Sequence, residues 1–400
     1  MQPQDTGRLV LTLWVALQGA TPQTPGRGPG ISLPNPSFTA ATFDPIVREG
    51  IERGAYPGAA LAIGRADSIE FIKGYGHLTW NATSPAVDPD QTLYDLASVT
   101  KVVATTTALM LLVDRGKVRL DDRVVAYVPE FHGPGTESIT VRQLLAHTSG
   151  LRADLPDTAI RAAPDAASLL RRVYAETPRA TPGSRVIYSD VNAILLGEIV
   201  RRASGEPLEA FVTRELLGPL GMTATVFRPG RALTARIAPT GVWRGHPVAG
   251  VVNDPSAAKL GGVSGNAGLF ATARDLARFA QFILRGGVTA DGRRLVRAET
   301  VRAFTARAAF FGGQSEARAL GWQALPTGER TSSAGSRFGP KSFGHTGWTG
   351  TSLWIDPDRG VFVALLTNRA FAPRAREPFT VVKTVRGRLA DAAAEAVDAR

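Results

Sequence analysis

Ser98-Val99-Thr100-Lys101 runs directly into Val102-Val103-Ala104-Thr105-Thr106-Thr107-Ala108-Leu109-Met110-Leu111-Leu112-Val113, and the reading of this stretch decides the fold. A helix that is apolar or small on most sides is a buried one, and Asp114-Arg115-Gly116 then supplies a charged, glycine-terminated stop. Residues three apart share one face of a helix, so the Lys101 side chain reaches the Ser98 hydroxyl from the first turn. A serine hydroxyl is a poor nucleophile until a neighbour takes its proton. The pair therefore reads as a nucleophile with its own base, placed where a helix N-terminus favours developing negative charge. Burial lowers a lysine's pKa, which predicts a Lys101 able to accept a proton near neutral pH.

Taken alone, the tetrad is read better as an N-cap serine followed by a solvated lysine, and the rest of the chain must overturn that reading. Tyr188-Ser189-Asp190 follows the loop Ala180-Thr181-Pro182-Gly183-Ser184 and precedes a helical run over 191–200. Further on, His345-Thr346-Gly347 opens an alternating stretch over 348–356. That stretch reads as one arm of a β-hairpin, with a turn over 356–360 and a partner arm over 361–367.

In their order and spacing these three elements resemble the motifs of the penicillin-recognising serine hydrolases, which comprise class C β-lactamases, D-alanyl-D-alanine carboxypeptidases and related esterases. The resemblance runs from about residue 55 to 369 and includes the segments 120–122, 140–151, 216–222, 252–255 and 261–272. It implies an α+β fold of the β-lactamase/transpeptidase type, with an antiparallel sheet flanked by helices and a mostly helical subdomain. It also implies roles. Ser98 attacks an amide or ester carbonyl and carries the acyl group, and Lys101 holds or relays its proton. Tyr188, partly a phenolate, takes that proton and returns it to the leaving group. Backbone N–H groups of Ser98 and Trp348 form the oxyanion hole, and such donors contribute about 3 kcal/mol each. Asp190, His345, Thr346 and Gly347 line the substrate.

Two residues depart from the family pattern. Asp190 stands where the family usually has Asn, and a carboxylate there keeps Lys101 charged and offers no donor to a substrate carbonyl. Asn192 is a nearby amide, but two residues along a helix it should face elsewhere. His345 stands where β-lactamases mostly carry Lys. A histidine can be neutral at pH 7, which suits a peptide, ester or lactone without an obligatory carboxylate. Both departures rank β-lactam turnover below peptide or ester hydrolysis.

Other arrangements carry less. Gly262-Val263-Ser264-Gly265 begins a Gly-x-Ser-x-Gly elbow, but Asn266 occupies the second glycine position, so Ser264 is expected in a glycine-rich loop bordering the site. His147-Thr148-Ser149-Gly150 reads as a structural helix end, with Thr140 as N-cap and Gly150 just past the last turn. His77, His132 and His246 lie apart from one another, so no metal spacing emerges. Gly28-Pro29-Gly30 and Gly74-Tyr75-Gly76 are turn or linker glycines rather than a phosphate loop. No cofactor is expected.

The chain has 400 residues, a formal net charge of +11 and no cysteine. The charge is mostly arginine spread along the chain and interleaved with acids, with no basic run alternating with aromatics, so nucleic acid is not an expected partner. With no cysteine, neither disulfides, thiolate metals nor a lipidated N-terminal cysteine are expected. Arg8 followed by an apolar run over 9–17 resembles a short signal-peptide core, giving a possible signal peptide over 1–20. A Pro/Gly-rich flexible linker follows over 21–36, then one hydrolase domain over 37–400 whose helical part spans about 98–290. Within that domain a helix is expected over 45–53, strands over 59–64 and 68–73, and a closing helix over 381–397. No segment has the ~20 apolar residues of a membrane span, so a periplasmic or secreted location is expected, without stable membrane insertion.

The chain is thus expected to be a metal-independent serine hydrolase acting through an acyl-enzyme on Ser98, on a D-alanyl cell-wall peptide or a small ester. A transacylase is the enzymatic alternative. A slow-deacylating penicillin-binding sensor or a non-catalytic binding module is the alternative from another class. Loops over 154–164 and 310–337 should supply the pocket walls.

Overall fold

The computed structural model describes residues 37–311, 316–326 and 332–399. The expected signal peptide and linker lie outside these residues. The chain begins with a helix, Ala40–Glu52, in which the Thr39 hydroxyl accepts from Thr42 N. Its start precedes the expected residue 45 because Pro45 is tolerated inside the helix, a position that usually marks a first turn.

The strands Gly58–Arg65 and Val361–Thr367 pair as the second and third strands of a seven-stranded antiparallel sheet. In order across it lie Ile69–Gly76, Gly58–Arg65, Val361–Thr367, Ser352–Asp356, Phe343–Thr346, Gln323–Ala324 and Ala317–Arg318. Both faces are covered, which is why the central strands read as continuous apolar runs. Leu61, Val363 and Leu365 face one core with the first helix and the C-terminal helix Pro378–Asp398. Ala60, Ala62, Phe362, Ala364 and Leu366 face a second, larger core. That core is shared with the helical layer, in which Thr107–Asp114 packs on the long helix Asp190–Ser204.

The third motif differs from the expected layout. His345 and Thr346 end their own strand, Phe343–Thr346, and Gly347 begins a turn before Ser352–Asp356. Gly347 N donates to Thr351 O at 2.7 Å and Gly350 N to Gly347 O at 3.1 Å. The turn is packed so tightly that a Cβ on Gly347 would meet Thr351 Oγ1 at 2.2 Å and Leu96 O at 2.5 Å.

Candidate active site

The segment before Ser98 is held from two sides. Tyr94–Asp95 pairs with Leu269–Ala271, and Leu96 N donates to Leu269 O at 2.9 Å. From the sheet, Thr349 Oγ1 donates to Asp95 O at 2.7 Å and Thr351 Oγ1 to Leu96 O at 2.9 Å. Ala97 is fixed at φ 46, a left-handed conformation costly for a residue with a Cβ. The Asp95 carboxylate accepts from Ala97 N at 2.9 Å and Asn253 N at 2.7 Å, and burial pushes its pKa up to about 6.

Beyond Ala97 the chain does not begin as a regular α-helix. Val99 N, Thr100 N and Lys101 N bond to Leu96 O, Ala97 O and Ser98 O, each three residues back. Such a turn eclipses side chains i and i+3. Lys101 Nζ accordingly lies 3.0 Å from Ser98 Oγ. A π-helix, Lys101–Thr106, follows and continues as Thr107–Asp114. Ser98 is partly exposed among buried neighbours.

Lys101 is 3% exposed and its ammonium meets three acceptors, Ser98 Oγ at 3.0 Å, Asn266 O at 3.0 Å and Asp190 Oδ1 at 2.6 Å. Burial works against its charge, but Asp190 and Tyr188 outweigh it and its pKa is raised. The expectation of a depressed lysine is thereby corrected: desolvation alone would lower it, and the carboxylate at 190 reverses the sign. Asp190 opens the helix Asp190–Ser204, whose N-cap Ser189 accepts from Asn192 N at 3.1 Å. Asn192 turns away from Lys101, and its Oδ1 accepts from Ser149 Oγ at 2.7 Å.

Tyr188 is partly exposed as a residue, but its hydroxyl is fully covered and makes no complete hydrogen bond. Burial pushes the phenol above its ordinary pKa, and Asp190 adds to this. Lys101 and Ser98 lie close enough to pull the other way. The tyrosine is thus a neutral phenol at rest. Its ring is crowded by cations, with Lys101 Nζ 5.1 Å and Arg318 Cζ 4.9 Å from the centroid.

His345 is 3% exposed, and its Nδ1 bonds Thr346 O at 2.9 Å, leaving Nε2 buried without a partner. Burial, Arg318 and Lys101 depress its pKa far below the ordinary value, so it is neutral. Trp348 is 61% exposed. Among the described residues, neither Ser98 N nor Trp348 N has a hydrogen-bond partner. Gly347, between them, abuts Leu96 O and Ala97 Cβ. The structure thus gathers Ser98, Lys101, Tyr188, Asp190 and the 345–348 segment at one place between the sheet and the helical layer.

Three neighbours carry no signal in the sequence. His147, expected as a mere helix end, is itself the left-handed residue directly after the C-cap Ala146 of the helix Val141–Leu145, at φ 56, the place expected for Gly150, which is left-handed further on at φ 79. Its ring lies 4.7 Å from that of Tyr188 and its Nδ1 accepts from Ser189 N at 3.1 Å. Arg318, 4% exposed, comes from a short edge strand with no motif around it. Asn266 acts through its carbonyl, which any residue has. Ser264 does border the site, donating to Asn266 Oδ1 at 2.6 Å. Among the described residues no group of acids and histidines could hold a metal ion, and no helix is long and apolar enough to cross a membrane.

Comparison with known proteins gives the following. The β-lactamase family model matches residues 43–385. A protein of Escherichia coli strain K12, provisionally named a D-alanyl-D-alanine carboxypeptidase, is 34% identical over 356 residues, 80% of each chain. A counterpart of the same provisional name in Salmonella agona is 32% identical over 83% of each chain. Among solved structures, a penicillin-binding protein homologue of Caulobacter crescentus superposes with a TM-score of 0.70 at 22% identity, over 89% of this chain and 98% of that one. A class C β-lactamase does so with a TM-score of 0.70 at 20% identity, over 89% and 97%. These structural likenesses show the α+β, β-lactamase/transpeptidase-like fold.

Proposed function

The chain belongs to the β-lactamase family of hydrolases, and from that premise we propose that it cleaves a D-alanyl peptide of cell-wall type through an acyl-enzyme on Ser98. The observation that carries this reading is the three-way contact of Lys101 Nζ with Ser98 Oγ, Asn266 O and Asp190 Oδ1. The D-alanyl substrate is favoured by the name of the 34% identical relative.

Lys101 donates to Ser98 Oγ and Asn266 O and is ion-paired to Asp190, and as an ammonium it has no lone pair to take the Ser98 proton, so the resting state needs a proton sink. Asp190, at 2.6 Å, is placed to serve. Transfer of one Nζ proton to Asp190 converts the ion pair into a neutral amine and acid, uphill from a resting state in which the lysine pKa is raised, and the low-dielectric site lessens that cost. The amine takes the Ser98 proton as Oγ bonds to the carbonyl carbon, and the oxyanion faces the N–H groups of Ser98 and Trp348. Tyr188 then gives its proton to the leaving group as the scissile bond breaks, and recovers one from Lys101. Asp190 returns its proton to the amine, restoring the resting charges. A water molecule releases the acyl group by the same relay.

A small-ester substrate is the second reading, favoured by the neutral His345, which offers no positive charge to a substrate carboxylate. A location outside the cytoplasm belongs to the peptide reading. The test is labelling with a fluorophosphonate and with a fluorescent penicillin, mapped by peptide mass spectrometry. Both adducts on Ser98 support the peptidase, and fluorophosphonate alone supports the esterase. An unmodified Ser98 overturns the acyl-enzyme and leaves a binding module. A penicillin adduct that persists for hours identifies a slow-deacylating sensor.

A further inference from the structure

Behind the turn that presents Trp348 N–H stand two guanidinium groups, and among the described residues neither has an acidic partner within ion-pair distance. Arg369 follows the strand Val361–Thr367 and is 4% exposed. Its Nε donates to Trp348 O at 2.9 Å and its Nη2 bonds the same oxygen. The guanidinium carbon lies 3.6 Å from the Phe379 ring centroid and 5.1 Å from that of Trp348, so the two rings enclose it. Arg386 comes from the C-terminal helix and is 8% exposed. Its Nη2 donates to Thr351 O at 2.7 Å and makes a longer contact of 3.4 Å to Gly347 O, while its Nε has no partner.

A peptide unit is planar and trans, so its C=O and N–H point in opposite directions. The unit joining Gly347 to Trp348 contains the Gly347 carbonyl and the Trp348 N–H. Donors on Gly347 O, namely Gly350 N and Arg386, therefore aim the Trp348 N–H away from Arg386. Arg369 holds the next carbonyl. A neutral side chain could satisfy these oxygens without burying a charge. Here two like charges are buried near each other: burial pushes Arg369 down to about 10, and burial, with the Arg369 charge adding to it, pushes Arg386 down to about 9. A cation held without a counter-ion in a low-dielectric region acts strongly on any charge that forms nearby.

We propose that Arg369 and Arg386 are positioning residues of the oxyanion site, fixing the Gly347–Trp348 peptide from behind and providing an uncompensated positive field for the tetrahedral oxyanion. This inference rests on the acyl-enzyme reading of Ser98.

The test compares hydrolysis of p-nitrophenyl acetate with that of its thiono analogue, whose sulfur is a poor hydrogen-bond acceptor, in the wild type and in Arg386→Met, Arg386→Lys and Arg369→Gln. Methionine keeps the apolar stem and removes a buried charge, so the fold is expected to survive, as checked by melting temperature. The expected result for Arg386→Met is a kcat lower by about 10- to 100-fold on the oxygen ester with KM nearly unchanged. The thiono ester should lose far less, so that the oxygen-to-sulfur preference collapses. Arg386→Lys, which restores charge but not the bridge, should recover part of it. An unchanged kcat, or a lowered kcat with the preference intact, overturns the proposal. If Arg386→Met does not fold, Arg369→Gln is read by the same preference, and an intact ratio there is equally fatal. Failure of the underlying reading shows separately, as ester turnover that persists in Ser98→Ala, and removes the proposal with it.

Discussion

Lys101 Nζ lies closer to Asp190 Oδ1, at 2.6 Å, than to the Ser98 hydroxyl, at 3.0 Å. The short contact places the acid, and not the nucleophile, as the dominant partner of the lysine. Replacing Asp190 by Asn keeps an acceptor but removes the proton sink. We expect kcat for acylation to fall by about 100-fold or more, measured as the burst rate with a chromogenic ester. Loss of the carboxylate also lets burial lower the lysine's pKa, so a lysine that worked alone would instead gain activity near pH 8. A faster Asp190→Asn protein would therefore remove Asp190 from the relay.

Ser98→Ala and Lys101→Met should each reduce turnover by a factor on the order of 10⁴ to 10⁶, and their combination by no more than the worse single change, since residues that act as one unit are not additive. Steady-state assays of the three variants check this, and additive losses would contradict a shared step.

Gly265 offers a test of the Asn266 carbonyl that leaves every polar side chain in place. A Cβ at this position would lie 1.9 Å from Ala193 O and 3.0 Å from Gly197 N, so Gly265→Ala must push the 261–268 loop off the helix Asp190–Ser204. We expect a loss of about 1–3 kcal/mol of stability by denaturant unfolding, with a fall in turnover exceeding what the unfolded fraction explains, because Asn266 O moves away from Lys101.

Two neutral histidines sit against Tyr188, and both have depressed pKa values, through burial first and then the charges of Arg318 and Lys101. In the unfolded chain each titrates near 6.5. Below that pH the unfolded state binds more protons than the folded one, so stability falls as pH drops from about 6.5 toward the depressed folded value. Asp95 has the opposite sign, because its raised folded pKa of about 6 makes protonation favour the fold between that pH and its unfolded value. The clean measurement is a difference. Melting temperature should fall less between pH 7 and 5 in His147→Asn than in the wild type, and equal slopes would mean that His147 is not held neutral.

The grouping of Ser98, Lys101, Tyr188 and His345 was legible in the sequence because its members are tied to local patterns. Ser98 precedes an apolar run, Tyr188 precedes a capped helix, and His345 ends a strand. The sheet was legible for the same reason, since alternation and the Asp356–Gly360 turn mark the hairpin. Two opposing readings of Lys101 were legible, burial lowering its pKa and the carboxylate at 190 keeping it charged, but not which of them prevails. Burial and the charge at 190 oppose each other, and only the 2.6 Å separation decides which wins. Nor were His147, Arg318, Arg369 and Arg386, which act through contacts made by the fold between residues far apart in the chain. In an arginine-rich sequence nothing marks the few that are buried.

The hydroxyls of Thr349 and Thr351 hold the carbonyls of Asp95 and Leu96, 254 and 255 residues earlier in the chain. Contacts of such separation form late, after the loop-closure entropy of the intervening chain has been overcome. The turn that carries Ser98 therefore gains these two restraints only when the last strands have been made and docked. A growing or truncated chain would carry Ser98 and Lys101 as ordinary side chains, and hydrolytic competence would appear all at once, as a signal that folding is complete.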